Sequence, residues 1–347
     1  MHPGPLEYRF RADKPQHETR YTIMAKSNHW AFPADMQPKA DELRFDLASA
    51  LRSVMMLRAK IPDDAFTAEI LGTERFGNGI VIRDDGLILT IGYLITEAES
   101  IWLTANDGTV VPGHPLGYDF ASGFGLVLPL GQLGAPTLPL GSAASLNPGD
   151  EVTVIGRGGR PHALEARVFA KREFSGYWEY VLDEALFTMP PHPEWSGAAL
   201  VDADGKLVGV GSLFIQEKVD DEEIRGNMFV PIDLLLPILD DLVSRGRSAS
   251  PPRPWLGMYT IEAEGRLVVN SLASGGPAER ARVAPGDVVT EVAGHRVSGL
   301  ADLFRAIWRQ GPAGTDIALT VVRDGKPMKV RVHSADRTDF FRKPSLQ

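Results

Sequence analysis

Between about Phe66 and Pro231 the chain is a succession of short apolar runs, each ended by Gly, Pro or an Asp-Gly pair. That punctuation predicts antiparallel β-structure, because each run is strand-length and bounded by turn residues. GIVIRDDGLILT sets two runs about Asp85-Gly86, and SIWLTANDGTVVPG repeats the form about Asp107-Gly108. Asp-Gly tolerates the positive φ angles of a tight hairpin. EVTVIG, ARVFAKREF, YVLDEALF, AALVDADGKLVGVGSLFI and NMFVPI supply further strands with no helical pattern between them. Strands in series without crossover helices form a barrel or a sandwich, not a parallel α/β sheet.

Helices flank this region. Leu43, Leu47, Leu51 and Val54 fall three or four apart and predict one apolar helical stripe. Asp233–Val243, with Leu235, Leu239 and Leu242 and with Gly246 beyond its end, predicts a second helix. RSASPPRP then reads as a linker, since its prolines and small polar residues suit neither helix nor strand. After it, a compact unit runs strand, strand (RLVVNSL), short helix (GPAERAR), strand (DVVTEVAG), helix (LADLFRAIW) and two strands joined at Arg323-Asp324-Gly325-Lys326. The expected organisation is an extended or disordered arm over 1–39, a β domain over 40–246, a linker over 247–254, a second domain over 255–335 and a tail over 336–347. The run Asp220–Glu223 reads as a solvated hairpin tip. Gly156–Arg160 reads as a loop between strands, because no Lys-Ser/Thr or helix start follows to make it a phosphate loop.

Composition removes several chemistries. The chain has no cysteine, which excludes disulfides, zinc–thiolate sites and thiol nucleophiles. Its net charge of −9 is spread along the sequence, against a nucleic-acid groove with clustered Lys and Arg. The eight histidines show no paired spacing, so neither a metal nor a cofactor is expected. The longest apolar run, around Leu234–Leu239, is broken by Pro237 and is too short to span a membrane. The first forty residues contain no apolar export segment, so a cytoplasmic location is expected. A periplasmic location is the alternative if the true start lies upstream.

Several segments resemble the HtrA (DegP-like) family of trypsin-like serine proteases. FGNGIVIRDDGLILT is similar to its opening GSGFVI…DGYIVT hairpin, LNPGDEVTVIG to its L.VGD.V.AIG strand, and SGAALVDADGKLVGV to the SGGPLVN..G.VIGI segment after the nucleophile. FVPIDLLLPILDDL looks like the end of its protease domain, and RPWLGM and VAPGDVVTEVAGHRV look like parts of its first PDZ domain. The resemblance covers roughly Leu43 to Val332 and implies a mostly β fold: a trypsin-like double β-barrel followed by a PDZ domain. Homotrimers occur in the family, and the sequence leaves that open.

A trypsin-like site needs a hydroxyl nucleophile, an imidazole base and a carboxylate to orient the imidazole. The family's TN.HVV segment matches Thr90–Ile95, which puts Tyr93 at the histidine position. Its D..SDLAVL segment matches Asp119–Leu126, which puts Gly123 at the aspartate position and leaves Asp119 as an earlier, non-catalytic acid. The GNSGG nucleophile segment reads Glu194-Trp195-Ser196-Gly197-Ala198, retaining Ser196 but placing Glu194 where the oxyanion hole has glycine. A phenol of ordinary pKa near 10 is a poor base at neutral pH. His192 is the nearest histidine in sequence and reads as a surface-loop residue rather than a base.

In the PDZ unit, the resemblance makes Trp255-Leu256-Gly257-Met258 the carboxylate-binding loop. PDZ domains add an extended peptide to a sheet edge and capture its terminal carboxylate with backbone N–H groups. Leu256 and Met258 favour an apolar last residue, and Leu303 and Ile307 of the late helix are candidates for the groove wall. The expected function is therefore that of an inactive HtrA homologue binding peptides or protein C-termini. The alternative is a working serine endopeptidase in which Ser196 uses a non-standard base.

Overall fold

The structure is a computed structural model that describes residues 30–219 and 222–342. After a short helix, Leu47–Arg52 (α1), come β1 (Val54–Lys60), a single helical turn α2 (Ala68–Leu71), β2 (Glu74–Val81), β3 (Ile88–Ile91), β4 (Ser100–Thr104), β5 (Val110–Tyr118) and β6 (Phe124–Pro129). These strands close into an antiparallel barrel in the order β1-β2-β3-β6-β5-β4. β7 (Glu151–Ile155), β8 (Ala163–Gly176), β9 (Tyr180–Met189), β10 (Ala199–Val201), β11 (Leu207–Val219) and β12 (Glu222–Pro231) close a second barrel in the order β10-β11-β12-β9-β8-β7. The closing pairs set Leu57 opposite Leu103 and Val154 opposite Leu200, all four fully buried. Both Asp-Gly turns form where expected: Asp85 accepts from Leu87 N at 3.2 Å and Asp107 from Thr109 N at 2.9 Å.

The helices depart from the sequence expectation. α1 covers only six residues from its Asp46 cap, which accepts from Ser49 N, and Val54 already belongs to β1. The 3.6-residue spacing of Val54 thus coincides with a β-branched residue that starts a strand. The helix expected from Asp233 begins instead at Leu239, as α3 (Leu239–Arg245), after a 3-10 turn over Ile232–Leu234. Pro237 lies between them; it lacks an N–H to donate and disfavours helical geometry in the residue before it.

The second unit contains β13 (Met258–Ala263), β14 (Arg266–Leu272), α4 (Pro277–Arg280), β15 (Val288–Val292), β16 (His295–Arg296), α5 (Leu300–Trp308), β17 (Asp316–Arg323) and β18 (Lys326–His333). Its sheet runs β13-β14-β15-β17-β18, with β16 paired to β15. The buried stripe of α5 packs on this sheet.

The described parts of the N-terminal arm and of the C-terminal tail are docked on the domains. Residues 1–29 lie outside the described residues, but Phe32 N donates to Pro161 O (2.9 Å), and Phe32 and Met36 pack on the second barrel's core. In the tail, Arg337–Phe340 forms a 3-10 turn, and Arg342 N donates to Glu97 (2.7 Å). Phe340 joins Trp255, Tyr259, Phe66, Tyr177 and Trp178 in an aromatic seam between barrels and PDZ unit. Apolar side chains in otherwise polar segments explain both dockings. The acidic run falls at the β11–β12 hairpin, with 220–221 outside the described residues.

Candidate active site and peptide groove

Ser196 sits in the loop between β9 and β10. Asn78 on β2 laces that loop to the first barrel: its N–H donates to Ser196 O (2.8 Å), and its Nδ2 donates to Glu194 O (2.8 Å) and Ser196 O (2.9 Å). Its remaining side-chain oxygen accepts from Arg157 N at 2.8 Å, so the β7–β8 loop is tied in as well.

Tyr93 stands in a 3-10 turn after β3, with its hydroxyl 2.7 Å from Ser196 Oγ. That hydroxyl donates its one proton to Ser212 O at 2.8 Å. The Ser196 hydroxyl is therefore the donor to Tyr93, and the chain Ser196 → Tyr93 → Ser212 O runs with each proton already placed.

Gly123 closes the loop before β6. It has φ +84, a conformation that disfavours any side chain, and an added Cβ would lie 3.2 Å from Tyr180 Oη. Tyr180 is buried and donates to Ser122 O at 2.6 Å; burial, foremost, pushes its hydroxyl well above the ordinary phenol range. The carboxylate of Asp119 is spent on the same turn, accepting from Ser122 N and Oγ at 2.7 Å each.

Glu194 differs from a free oxyanion donor in both its backbone and its side chain. Its N–H donates to His192 Nδ1 at 3.0 Å, and its carboxylate pairs with Arg157 at 2.6 Å. Burial raises the Glu194 carboxyl, while the Arg157 charge opposes the rise. His192 is not the surface-loop residue the sequence suggested: it is fully buried, with the rings of Trp30 and Phe32 edge-on to it. Since its Nδ1 accepts from Glu194, Nε2 carries the proton and donates to His162 O at 2.8 Å. Burial lowers its pKa to about 4. The docked arm seals this histidine, which the proline-rich sequence around it did not reveal.

A cleft of about 1040 Å³ runs from Tyr93 and Ser212 past Trp178 to Arg253 and Trp308 at the PDZ side. Trp255, the first residue of the Trp255–Met258 loop, also lines it. Gly257 has φ +68, and the Trp255 ring and the Ala273 Cβ lie about 3.0 Å from where a Cβ would be, so glycine is required. Leu256, Met258, Leu303 and Ile307 are all buried in one apolar cluster, which Val181 of β9 also enters. The backbone N–H groups of Leu256 and Met258 donate to the carboxylate of Glu179, at the tip of the β8–β9 hairpin.

Sequence reasoning missed Asn78, Arg157, Ser212 and Glu179. Each acts through contacts distant in sequence. The available hint was Glu179 itself, the one acid in the aromatic apex Tyr177-Trp178-Glu179-Tyr180.

Residues 77–210 match the trypsin-like peptidase domain family and 254–333 the PDZ domain family. A probable periplasmic serine endoprotease DegP-like of Halomonas elongata is 28% identical over 277 residues, covering 76% of this chain and 57% of the relative. The serine protease Do-like HtrA of Bacillus subtilis is 21% identical over 338 residues, covering 87% of this chain and 74% of the relative. This chain thus spans little more than half the length of the Halomonas relative. Among solved structures, the HtrA-type protease AlgW with decapeptide superposes with a TM-score of 0.52 at 19% identity, covering 87% of this chain and 100% of that one. The serine endoprotease from Yersinia pestis gives 0.50 at 20% identity, covering 85% and 99%. With a trypsin-like peptidase domain followed by a PDZ domain in that order, the chain has the fold of the HtrA-type proteases and is similar in sequence to their DegP-like relatives.

Proposed function

We propose that this chain is a non-catalytic HtrA relative that acts by binding polypeptide segments or partner proteins. The observation that carries the reading is the phenol of Tyr93 against Ser196 Oγ, already donating to Ser212 O. Deprotonating the serine requires a group that accepts its proton and gives it up again to the leaving group. A neutral phenol whose own proton is held by a carbonyl does neither well. The Glu194 N–H adds support: turned onto His192 Nδ1, it is withdrawn from the oxyanion position, where each donor lowers the barrier by roughly 3–4 kcal/mol.

Casein turnover by the purified protein is the direct test. It should equal that of Ser196→Ala; a Ser196-dependent excess refutes the reading and favours the endopeptidase alternative, the activity for which the relatives are named. For ligands, the solved relative with a decapeptide supports peptides, and the PDZ domain match supports capture of their C-termini on its sheet edge. For compartment, the DegP-like relatives named as periplasmic support the periplasmic alternative over the cytoplasmic expectation. Fractionation of the native host separates the two.

A further inference from the structure

The carboxylate loop of the PDZ unit already holds a carboxylate from the same chain. Leu256 N donates to both Glu179 oxygens, at 3.2 and 3.1 Å, and Met258 N donates to Oε1 at 3.1 Å. Two residues further along β13, Thr260 N donates to Tyr177 O at 3.3 Å. An extended peptide docked on a sheet edge makes these same two kinds of bond: terminal carboxylate to a nest of backbone N–H groups, and backbone carbonyl to the edge strand. The hairpin tip supplies both. Glu179 itself has φ +62, unfavourable for a residue with a side chain, and such strain persists only where surroundings over-determine it.

Side-chain contacts complete the likeness to a bound ligand. Val181 enters the apolar cluster with Leu256, Met258 and Leu303. Arg305 on α5 grips both strands of the hairpin, pairing with Glu173 of β8 at 2.5 Å and with Asp183 of β9.

We infer that Glu179 is a built-in ligand of the PDZ carboxylate loop, and that a C-terminal peptide enters the groove by displacing the β8–β9 tip. The second half rests on the peptide-binding reading above; the first concerns only contacts within this chain. A tethered ligand competes at an effective concentration of about millimolar or more. The apparent affinity of an outside peptide falls by the fraction of molecules whose groove is open.

Two measurements on the full chain separate the halves. Hydrogen exchange at the amides of Leu256, Met258 and Thr260 is compared among the unaltered protein, Glu179→Ala and Glu179→Lys. The lysine sets an ammonium against N–H groups and expels the tip even if the alanine leaves it resting in place. Fluorescent decapeptides ending in Leu or Val, as free acids and as amides, are titrated in parallel, with circular dichroism to show that the barrels persist. Exchange should quicken at least tenfold in Glu179→Lys, and free-acid peptides should bind it at least tenfold tighter than the unaltered protein, with amides showing no such gain. Unchanged exchange in both variants overturns the built-in ligand. Equal peptide affinity for opened and unaltered protein overturns the competition. Quickened exchange with no peptide binding in any variant upholds the built-in ligand and refutes the peptide-binding reading.

Discussion

The carboxyl of Glu179 makes closure of the PDZ groove depend on pH. Burial pushes it from the ordinary 4.5 up to about 7, against the opposing pull of the backbone N–H groups of Met258, Leu256 and Gly257 and of the Arg337 charge. Tyr177 and Tyr259 also face this region, but burial raises both hydroxyls above the phenol range, so neither titrates near neutrality. Once the tip leaves the groove, the carboxyl returns to water and to its ordinary value. The closed state therefore binds a proton more tightly than the open one. Its contribution to closure is fully present below about 4.5 and is lost as pH rises through 7. The difference is worth roughly 3 kcal/mol, a change of about two orders of magnitude in the opening equilibrium. The assay is hydrogen exchange at Leu256 and Met258 from pH 5 to 8, corrected for intrinsic rates. Protection should fall with rising pH in the unaltered protein and stay level in Glu179→Gln, which keeps the shape and an acceptor oxygen without titrating. The same pH slope in both proteins refutes the assignment.

His192 acts in the opposite sense. Its pKa, lowered by burial from 6.5 to about 4, gives stability that is present above 6.5 and lost as pH falls through 4, again roughly 3 kcal/mol. Because the two residues oppose each other over one window, whole-protein melting conceals both; comparing His192→Gln with the unaltered protein should isolate an acid-side loss that the variant lacks. Asn78→Ala removes two side-chain bonds to the nucleophile loop and one from Arg157 N, and should cost about 2–4 kcal/mol in denaturant unfolding; a loss below about 0.5 kcal/mol contradicts its role as a brace. Tyr93→His with Gly123→Asp should leave casein turnover at the Ser196→Ala background, because Asp must adopt φ +84 beside Tyr180 and the Glu194 N–H still faces His192. Adding Glu194→Gly is where a measurable rate should first arise.

Local chemistry was readable in the sequence, and long-range contact was not. Asp85 and Asp107 specify their turns within a few residues, so both hairpins were legible from spacing alone. The α3 boundary was misjudged because Leu235, Leu239 and Leu242 keep helical spacing across Pro237, whose backbone constraint prevails over periodicity. His192 looked exposed because its neighbours are prolines; its burial comes from Trp30 and Phe32, more than 150 residues earlier. Tyr93, Gly123, Ser196 and Glu194 were singled out through their places in family segments, and of these Tyr93 and Ser196 meet at 2.7 Å. Glu179 was not, since its partners Leu256 and Met258 lie 77 and 79 residues away and belong to another domain.

Labelling of Ser196 by a fluorophosphonate tests the central claim most directly, because the probe reads nucleophile activation without needing the natural substrate. With the Ser196 proton donated to Tyr93, and Tyr93 donating in turn to Ser212 O, no stronger base among the described residues is bonded to the hydroxyl. The purified protein should show no labelling above that of Ser196→Ala across pH 6 to 9. Stoichiometric labelling that disappears in Ser196→Ala would contradict the non-catalytic reading and establish an activated serine.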